Sequence, residues 1–252
     1  LDTLRATTVP AATRGTGVDV ALGGSTAAFV DLGATISDRL PETIAVVIGL
    51  SAILLLVAFR SLAIPAKAAV MNLLSIGAAY GVVVMVFQYG WFAGLVGLDG
   101  AVPIASFVPL LMFAGLFGLS MDYEVFLLSR VQERYRAGEA PRAAIVTGMA
   151  VSARVITAAA LIMVSVFASF VLNGDPVVKQ FGVGLSVAVI VDATLVRCVL
   201  VPAAMALLGR AAWWLPGSLD RVVPPLDVEG QSWLAARDAA AGTRGRGGGR
   251  AA

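Results

Sequence analysis

The sequence has 252 residues, of which 59% are hydrophobic and only 13% are charged, with a net charge of +2. Soluble domains are about a quarter charged, so this composition excludes an ordinary soluble protein and indicates a membrane protein. A single cysteine excludes an internal disulfide framework. The absence of histidine argues against the usual transition-metal sites. It also means that any proton relay must use carboxylates, tyrosine, hydroxyls or water.

The first forty residues are polar and mixed. Val18–Leu22 alternates like a short strand, Gly23 and Gly24 indicate a turn, and Ser25 and Thr26 are suited to cap a helix that runs through Leu40. This unit is too small to be a domain, so we interpret residues 1–40 as the end of a larger extracytoplasmic domain. The chain opens without Met or a signal peptide, and we expect it to be a fragment.

Five apolar segments follow, each about long enough to cross a bilayer. They predict an all-α polytopic membrane protein whose helix bundle covers residues 41–210. The predicted spans are residues 43–59, 68–87, 104–129, 154–172 and 178–208.

The charges between the spans predict the orientation. One set of loops carries eight basic residues and the opposite set carries only Lys179, a clear positive-inside bias. The N-terminal end is then outside the cell and the C-terminus is cytoplasmic. Trp91 on the outer side and Trp213 and Trp214 on the inner side suit aromatic belts. The eight basic residues are Arg60, Lys67, Arg130, Arg134, Arg136, Arg142, Arg210 and Arg221.

Two basic segments have simple interpretations. Val131–Ala153 contains Gly138 and Pro141 and predicts a short helix on the inner membrane face, where arginines either anchor a solvated loop or bind anionic lipid. Residues 211–252 form a cytoplasmic tail that we expect to be largely disordered after residue 231. We expect no nucleic-acid binding from so short a basic tract.

The most informative residues are Asp122 and Tyr123, which lie in an otherwise apolar helix. A carboxylate at that depth costs several kcal/mol, roughly 3 on insertion scales, unless it is compensated. Desolvation favours the neutral acid and a nearby cation favours the carboxylate, so small packing changes would load or release a proton. Asp122 is therefore expected to carry protons, with the Tyr123 hydroxyl as a relay; the alternative is an acid that only fixes helix packing.

Asp122 shares one helix face with small and aromatic residues at three- and four-residue steps. Glycines on such a face let a partner helix approach closely. The predicted helix-packing face consists of Gly115, Gly118, Phe126 and Ser129.

A second polar pair is Asp192 and Arg197 in the last span. Residues five apart do not share an α-helical face, so we expect Arg197 to reach the inner interface and Asp192 to find its partner on another helix. A supporting part in the relay and a purely structural role are equally open. Glu124 is expected to point away from Asp122, Arg154 to anchor a helix start, and Cys198 to be a small core side chain.

Four stretches resemble the MMPL-type transporters of the resistance–nodulation–division superfamily. They are Gly118–Arg130 with Gln132 and Glu133 after it, Gly23–Ala27, Asp192–Arg197 and Trp213–Pro216. The resemblance implies the last five of twelve transmembrane helices, preceded by the end of an α/β porter domain. It also implies an N-terminal half of the same transporter, outside this sequence, with an Asp-Tyr helix of its own. In the last helix it implies a pair of one acidic and one basic residue, which correspond here to Asp192 and Arg197.

The function implied is a proton-motive-force-driven exporter of lipids or other hydrophobic molecules in the bacterial cell membrane. No phosphate-binding loop is present, so ATP is not expected as the energy source, and neither an enzyme activity nor a cofactor is expected. The expected partners are membrane lipid, a hydrophobic substrate and the N-terminal half. The alternatives are a membrane scaffold or sensor that does not transport, and an inactive truncated product.

Overall fold

The computed structural model describes residues 3–15 and 17–216, which form long helices. The tail expected to be disordered after residue 231 lies outside the described residues. The α-helices are α1 (Val9–Thr13), α2 (Ser25–Phe59), α3 (Ala63–Val83), α4 (Val108–Arg136), α5 (Pro141–Ser169), α6 (Pro176–Val191) and α7 (Val201–Leu208). Three π-helical segments (Leu4–Thr8, Val84–Gln88 and Asp192–Leu200) and three 3-10 segments (Ala93–Val96, Phe170–Leu172 and Gly209–Trp213) extend or connect them.

The prediction of five membrane-spanning helices is confirmed by length and apolar composition. Some spans join several helical segments: α3 continues through Gln88, α5 continues through Leu172, and α6, the π-helical segment and α7 form one rod, Pro176–Leu208, called the last span below. Each rod is about 39 Å or longer at 1.5 Å per residue, enough to cross the ~30 Å hydrocarbon core.

The N-terminal region differs from the prediction in two ways. The strand expected at Val18–Leu22 is wrong: these residues are irregular, and the described part of the chain offers no neighbouring strand to complete a ladder. The helix does begin at Ser25, but no side chain caps it, and it passes the expected end at Leu40 to finish at Phe59. The boundary expected after residue 40 therefore falls inside one continuous helix.

The separate inner-face helix expected within Val131–Ala153 is also wrong. Here α4 continues to Arg136 and α5 begins at Pro141, so a four-residue turn replaces it. Gly138 accepts the left-handed φ of +94° that this turn requires, and a proline in the first turn of a helix favours a start there. Arg154 consequently lies well inside α5, on an exposed face, and is not at a helix start.

The centre of the bundle is formed by α3, α4 and the last span, whereas α2 and α5 are largely exposed at its sides. Glycine sets the closest approach of α4 and α5, because a Cβ added to Gly148 would lie only 2.9 Å from the Val131 backbone. Gly184 allows the last span to pack on Met112 of α4, whose Sδ would lie 2.8 Å from such a Cβ.

Polar contacts join these three central helices at both of their ends. Near the start of the last span, the buried Lys179 ammonium donates to the carbonyls of Val96 (2.6 Å) and Gly97 (2.9 Å) in the α3–α4 loop. At the opposite end, the Ser61 hydroxyl donates to the Ala212 carbonyl at 2.6 Å, and the Trp213 ring stacks on Tyr135. These contacts hold α3, α4 and the last span in register.

Candidate proton-transfer site

The last span brings Asp192 and Arg197 into direct contact. Arg197 Nε donates to Asp192 Oδ2 at 2.8 Å, and Nη2 lies 2.7 Å from the same oxygen in an ion pair. The expectation that these residues could not pair was wrong, because Asp192–Leu200 is π-helical and its i to i+5 geometry brings residues five apart together. Arg197 is only 4% exposed, so it does not reach the inner interface as expected.

Two other helices complete the surroundings of this pair. Arg197 Nη2 donates to the Ser120 carbonyl on α4 at 2.7 Å. The Ser120 hydroxyl lies 2.7 Å from Asn72 Oδ1 on α3 and 3.1 Å from Asp192 Oδ1, and its one proton serves one acceptor at a time. The partner expected for Asp192 on another helix is thus Ser120. We call Asn72, Ser120, Asp192 and Arg197 the buried network.

Asp122 lies on the opposite side of α4 from this network and is exposed in the chain. Within the residues described, its carboxylate makes no hydrogen bond or ion pair. A Cβ added to Gly115 or Gly118 would meet no atom within 4 Å, so the predicted glycine face of α4 carries no neighbouring helix in the described chain. Phe126 and Ser129 of that face are partly exposed, and the Arg130 guanidinium lies over the Phe126 ring. We call this the open face.

Tyr123 lies between the open face and the buried network. Its ring lies under the Arg197 guanidinium, 4.9 Å from ring centroid to Cζ, and this distance permits a cation–π interaction. Its hydroxyl makes only a weak contact, 3.6 Å from Met163 Sδ on α5. The residue next to Asp122 in sequence therefore contacts the buried network through Arg197.

Sequence reasoning missed a second buried ion pair, between Lys67 of α3 and Glu124 of α4. The Nζ–Oε1 distance is 3.1 Å, and both side chains are only 5% exposed. Lys67 was counted as a basic loop residue, but α3 begins at Ala63 and carries it inside the bundle. Glu124 does point away from Asp122, as expected, and into the interior. The available signal was a lysine followed closely by Asn72 and Ser75 in an otherwise apolar helix.

At the centre of the bundle the charges balance, since Lys67 and Arg197 face Glu124 and Asp192. The buried Lys179 at the other end is held by backbone carbonyls, and Asp122 is an additional acid on the opposite side of α4. Among these groups a carboxylate can take up and release a proton and a serine hydroxyl can relay one, whereas the guanidinium stays charged and the asparagine amide only donates and accepts hydrogen bonds. No group of three potential metal ligands occurs in the region that the structure covers. The expectation for Cys198 was wrong, because its side chain is exposed.

Comparison with known proteins gives a consistent result. The model of the MMPL family matches residues 3–237. A protein named as a mycolic acid-containing lipids exporter, MmpL11 of Mycolicibacterium smegmatis, is 43% identical over 91% of this chain and 24% of its own length. A protein named heme uptake protein MmpL11, of Mycobacterium tuberculosis, is 46% identical over 83% of this chain and 22% of its own length.

A third relative carries a different cargo in its name. The trehalose monomycolate exporter MmpL3 of Mycolicibacterium smegmatis is 37% identical over 84% of this chain and 21% of its own length. The chain thus spans about a quarter of the length of these curated relatives.

Proposed function

Because the chain belongs to the MMPL family, we propose that it is the C-terminal membrane part of a longer exporter that moves lipids or other hydrophobic molecules and is driven by the proton gradient. The observation that carries this proposal is the arrangement around α4. An acid on an open glycine face, Asp122, is joined through Tyr123 to a buried, charge-balanced network that ends in Asp192.

Asp122 is the proton-loading group in this proposal. Its side chain lies in a helix with the length and composition of a membrane span, so a second helical surface must cover it or water must reach it. A helix from an N-terminal half of the same protein would pack on Gly115 and Gly118 and enclose the acid. Changes in that packing would then shift Asp122 between its charged and neutral forms.

The driving force is sufficient for a rearrangement of helices. One proton entering down a gradient of about 200 mV releases roughly 4–5 kcal/mol, from about 2.3 kcal/mol per 100 mV. That free energy biases the rocking of one helix bundle against another, which is how internally repeated transporters alternate access. Tyr123 transmits the ionisation of Asp122 to Arg197, since a nearby carboxylate changes the field at the guanidinium.

The proposed cargo class is taken from the relatives. Two carry the names of lipid exporters and one is named for heme, and these cargoes share a large hydrophobic body. The proposed location is the bacterial cell membrane, with the N-terminal end outside and the C-terminus in the cytoplasm. With Cys198 replaced by serine, cysteines placed singly at Gly100 and Ala137 test this orientation, since only the former should react with an impermeant reagent in intact cells.

The competing function is a membrane scaffold, and one observation favours it. The buried network already satisfies Asp192 within the chain, as a purely structural polar core would do. A scaffold would need neither a titrating Asp122 nor an open glycine face.

Substitution of Asp122 distinguishes the two functions. We expect Asp122→Asn in the complete protein to abolish export while membrane insertion and expression stay unchanged, because asparagine keeps the shape of the side chain and loses its proton chemistry. Export of labelled lipid from proteoliposomes under a proton gradient is the measurement. Asp99→Asn, at an exposed acid of the α3–α4 loop, is the matched control. Full export by Asp122→Asn would favour the scaffold.

A further inference from the structure

The Lys67–Glu124 pair sits beside the buried network and is not explained by it. Leaving two charged side chains only 5% exposed in a membrane protein is expensive unless the pair is well bonded or has a function. The bonding here is incomplete: although Nζ and Oε1 are 3.1 Å apart, neither atom makes a hydrogen bond of good geometry within the described chain.

A small cavity joins Glu124 to the network. It has a volume of about 10 Å³, close to the minimum for one water molecule, and its polar lining comes from Glu124, Arg197, Asp192, Asn72 and Ser120. Two lining residues have buried atoms that no protein group in the described chain satisfies, Glu124 Oε1 and Arg197 Nη1. A water molecule between an acceptor and a donor of this kind would satisfy both.

A second cavity of the same size continues the polar path along α3. Asn72, Ser120 and Asp192 line it as well, together with Ser75, whose buried hydroxyl oxygen makes no hydrogen bond to another described residue, and the rest of the lining is apolar. Ser75 and Lys67 are eight residues apart on α3, about 12 Å of helix rise. Polar groups therefore extend along the interior from Ser75 to Glu124, with Asp192 between them.

We propose that Glu124 is a second proton-carrying group and that Lys67 is its positioning residue. Glu124 lies between Asp192 and the end of the bundle that carries Arg130, Arg134 and Arg136, called the arginine-rich end below. This inference rests on the proposed proton-driven function. A proton that enters at Asp122 is first taken up by the Asp192 carboxylate; it then leaves the resulting Asp192 carboxyl group, passes over a water molecule in the shared cavity and binds a Glu124 carboxylate oxygen. Asp192 remains as a carboxylate paired with Arg197. When the helices rearrange, Glu124 releases the proton to water that enters from the arginine-rich end, and the Lys67 ammonium, unchanged throughout, stabilises the carboxylate that forms.

The charged and titratable groups facing this site belong to three elements. They are Lys67 on α3, Tyr123 on α4, and Asp192 and Arg197 on the last span. Glu124 and Asp192 are the two acids that line this cavity. Neighbouring side chains toward the arginine-rich end, such as Leu127 and Val131, are apolar and buried, so among the described residues Glu124 is the last buried carboxylate in that direction, and water reaches it only when these side chains move.

The test separates a proton carrier from an ion pair that only fixes packing. In the complete transporter, Glu124→Gln leaves Lys67 uncompensated, so both stability and proton flux are expected to fall. The double variant Lys67→Met/Glu124→Gln removes both charges together, and we expect its thermal stability in detergent to return toward that of the wild type. Its proton flux into proteoliposomes, followed with an internal pH dye, should stay about 100-fold below that of the wild type. This is the smaller end of the effect that a positioned proton-transfer group has on a rate.

Two further variants complete the design. Glu124→Asp keeps a carboxylate and should retain part of the flux. Arg39→Gln/Glu42→Gln removes an exposed ion pair of α2, 2.9 Å apart, and should change neither quantity. Wild-type flux in Lys67→Met/Glu124→Gln, or in Glu124→Gln itself, would overturn the inference. Flux that is also unaffected by Asp122→Asn would instead overturn the proposed function, so the two failures are distinguishable.

Discussion

Polar groups on the two sides of α4 have different surroundings. On the inward side, Ser120 and Glu124 meet partners from α3 and the last span, and charges are matched. On the open side, Asp122 stands beside Gly115 and Gly118 with no partner helix in the described chain. The same helix thus carries one polar surface whose charges are matched within these residues and one acid that has no partner among them.

This difference separates stability from activity. A buried, hydrogen-bonded ion pair is strongly destabilising to break, because the remaining charge stays in a medium that solvates it poorly. A polar residue on a surface that the chain leaves open contributes little to folding of the chain itself. Substitutions on the two sides of α4 should therefore affect different measurements.

The largest effect on stability is expected at Arg197. Arg197→Ala leaves the Asp192 carboxylate without its cation, and we expect it to lower the free energy of unfolding by about 3–5 kcal/mol. Unfolding of the purified complete protein in detergent measures this change. Asp122→Asn in the same assay should stay within about 0.5 kcal/mol of the wild type, because asparagine keeps the shape of the side chain and leaves no charge of the described chain unpaired.

A charge-balanced variant is the control for Arg197. Asp192→Asn/Arg197→Met removes both charges and should recover most of the stability that Arg197→Ala loses. Equal stabilities for Arg197→Ala and Asp122→Asn would show that the inward and open sides of α4 contribute equally to the free energy of unfolding.

Glycine substitutions give the next largest effect. A Cβ at Gly148 would lie 2.9 Å from the Val131 backbone, so Gly148→Ala must push α4 and α5 apart, and we expect a loss of about 1–3 kcal/mol. Gly118→Ala introduces no clash within the chain. A loss of export by that variant would therefore report on a helix outside the chain that packs on the open face. Wild-type stability of Gly148→Ala would contradict the observed close approach.

The open side of α4 could be predicted from the sequence, and the inward side only in part. Repetition at three- and four-residue steps fixes which residues share an α-helical face, and this placed Gly115, Gly118 and Asp122 together. The five spans likewise follow from length and hydropathy alone.

The ion pairs could not be predicted, for two physical reasons. The Asp192–Arg197 contact depends on a π-helical segment, and an α-helical spacing rule gives the wrong answer where the backbone bonds to the fifth residue. The Lys67–Glu124 contact joins two helices, and no local pattern states which helices pack together. Lys67 itself was misplaced because α3 starts five residues before the apolar run that marks its span.

The smallest effect on stability is expected at Tyr123, which joins the two sides. Tyr123→Phe keeps the ring against Arg197 and removes only the weak contact of the hydroxyl with Met163, so unfolding should change by less than about 0.5 kcal/mol. Tyr123→Leu also removes the cation–π contact and should lose about 0.5–2 kcal/mol. Proton flux separates the roles of ring and hydroxyl. We expect Tyr123→Phe to lower it, because a relay from Asp122 needs the hydroxyl, and undiminished flux would mean that Tyr123 acts on Arg197 through its ring alone.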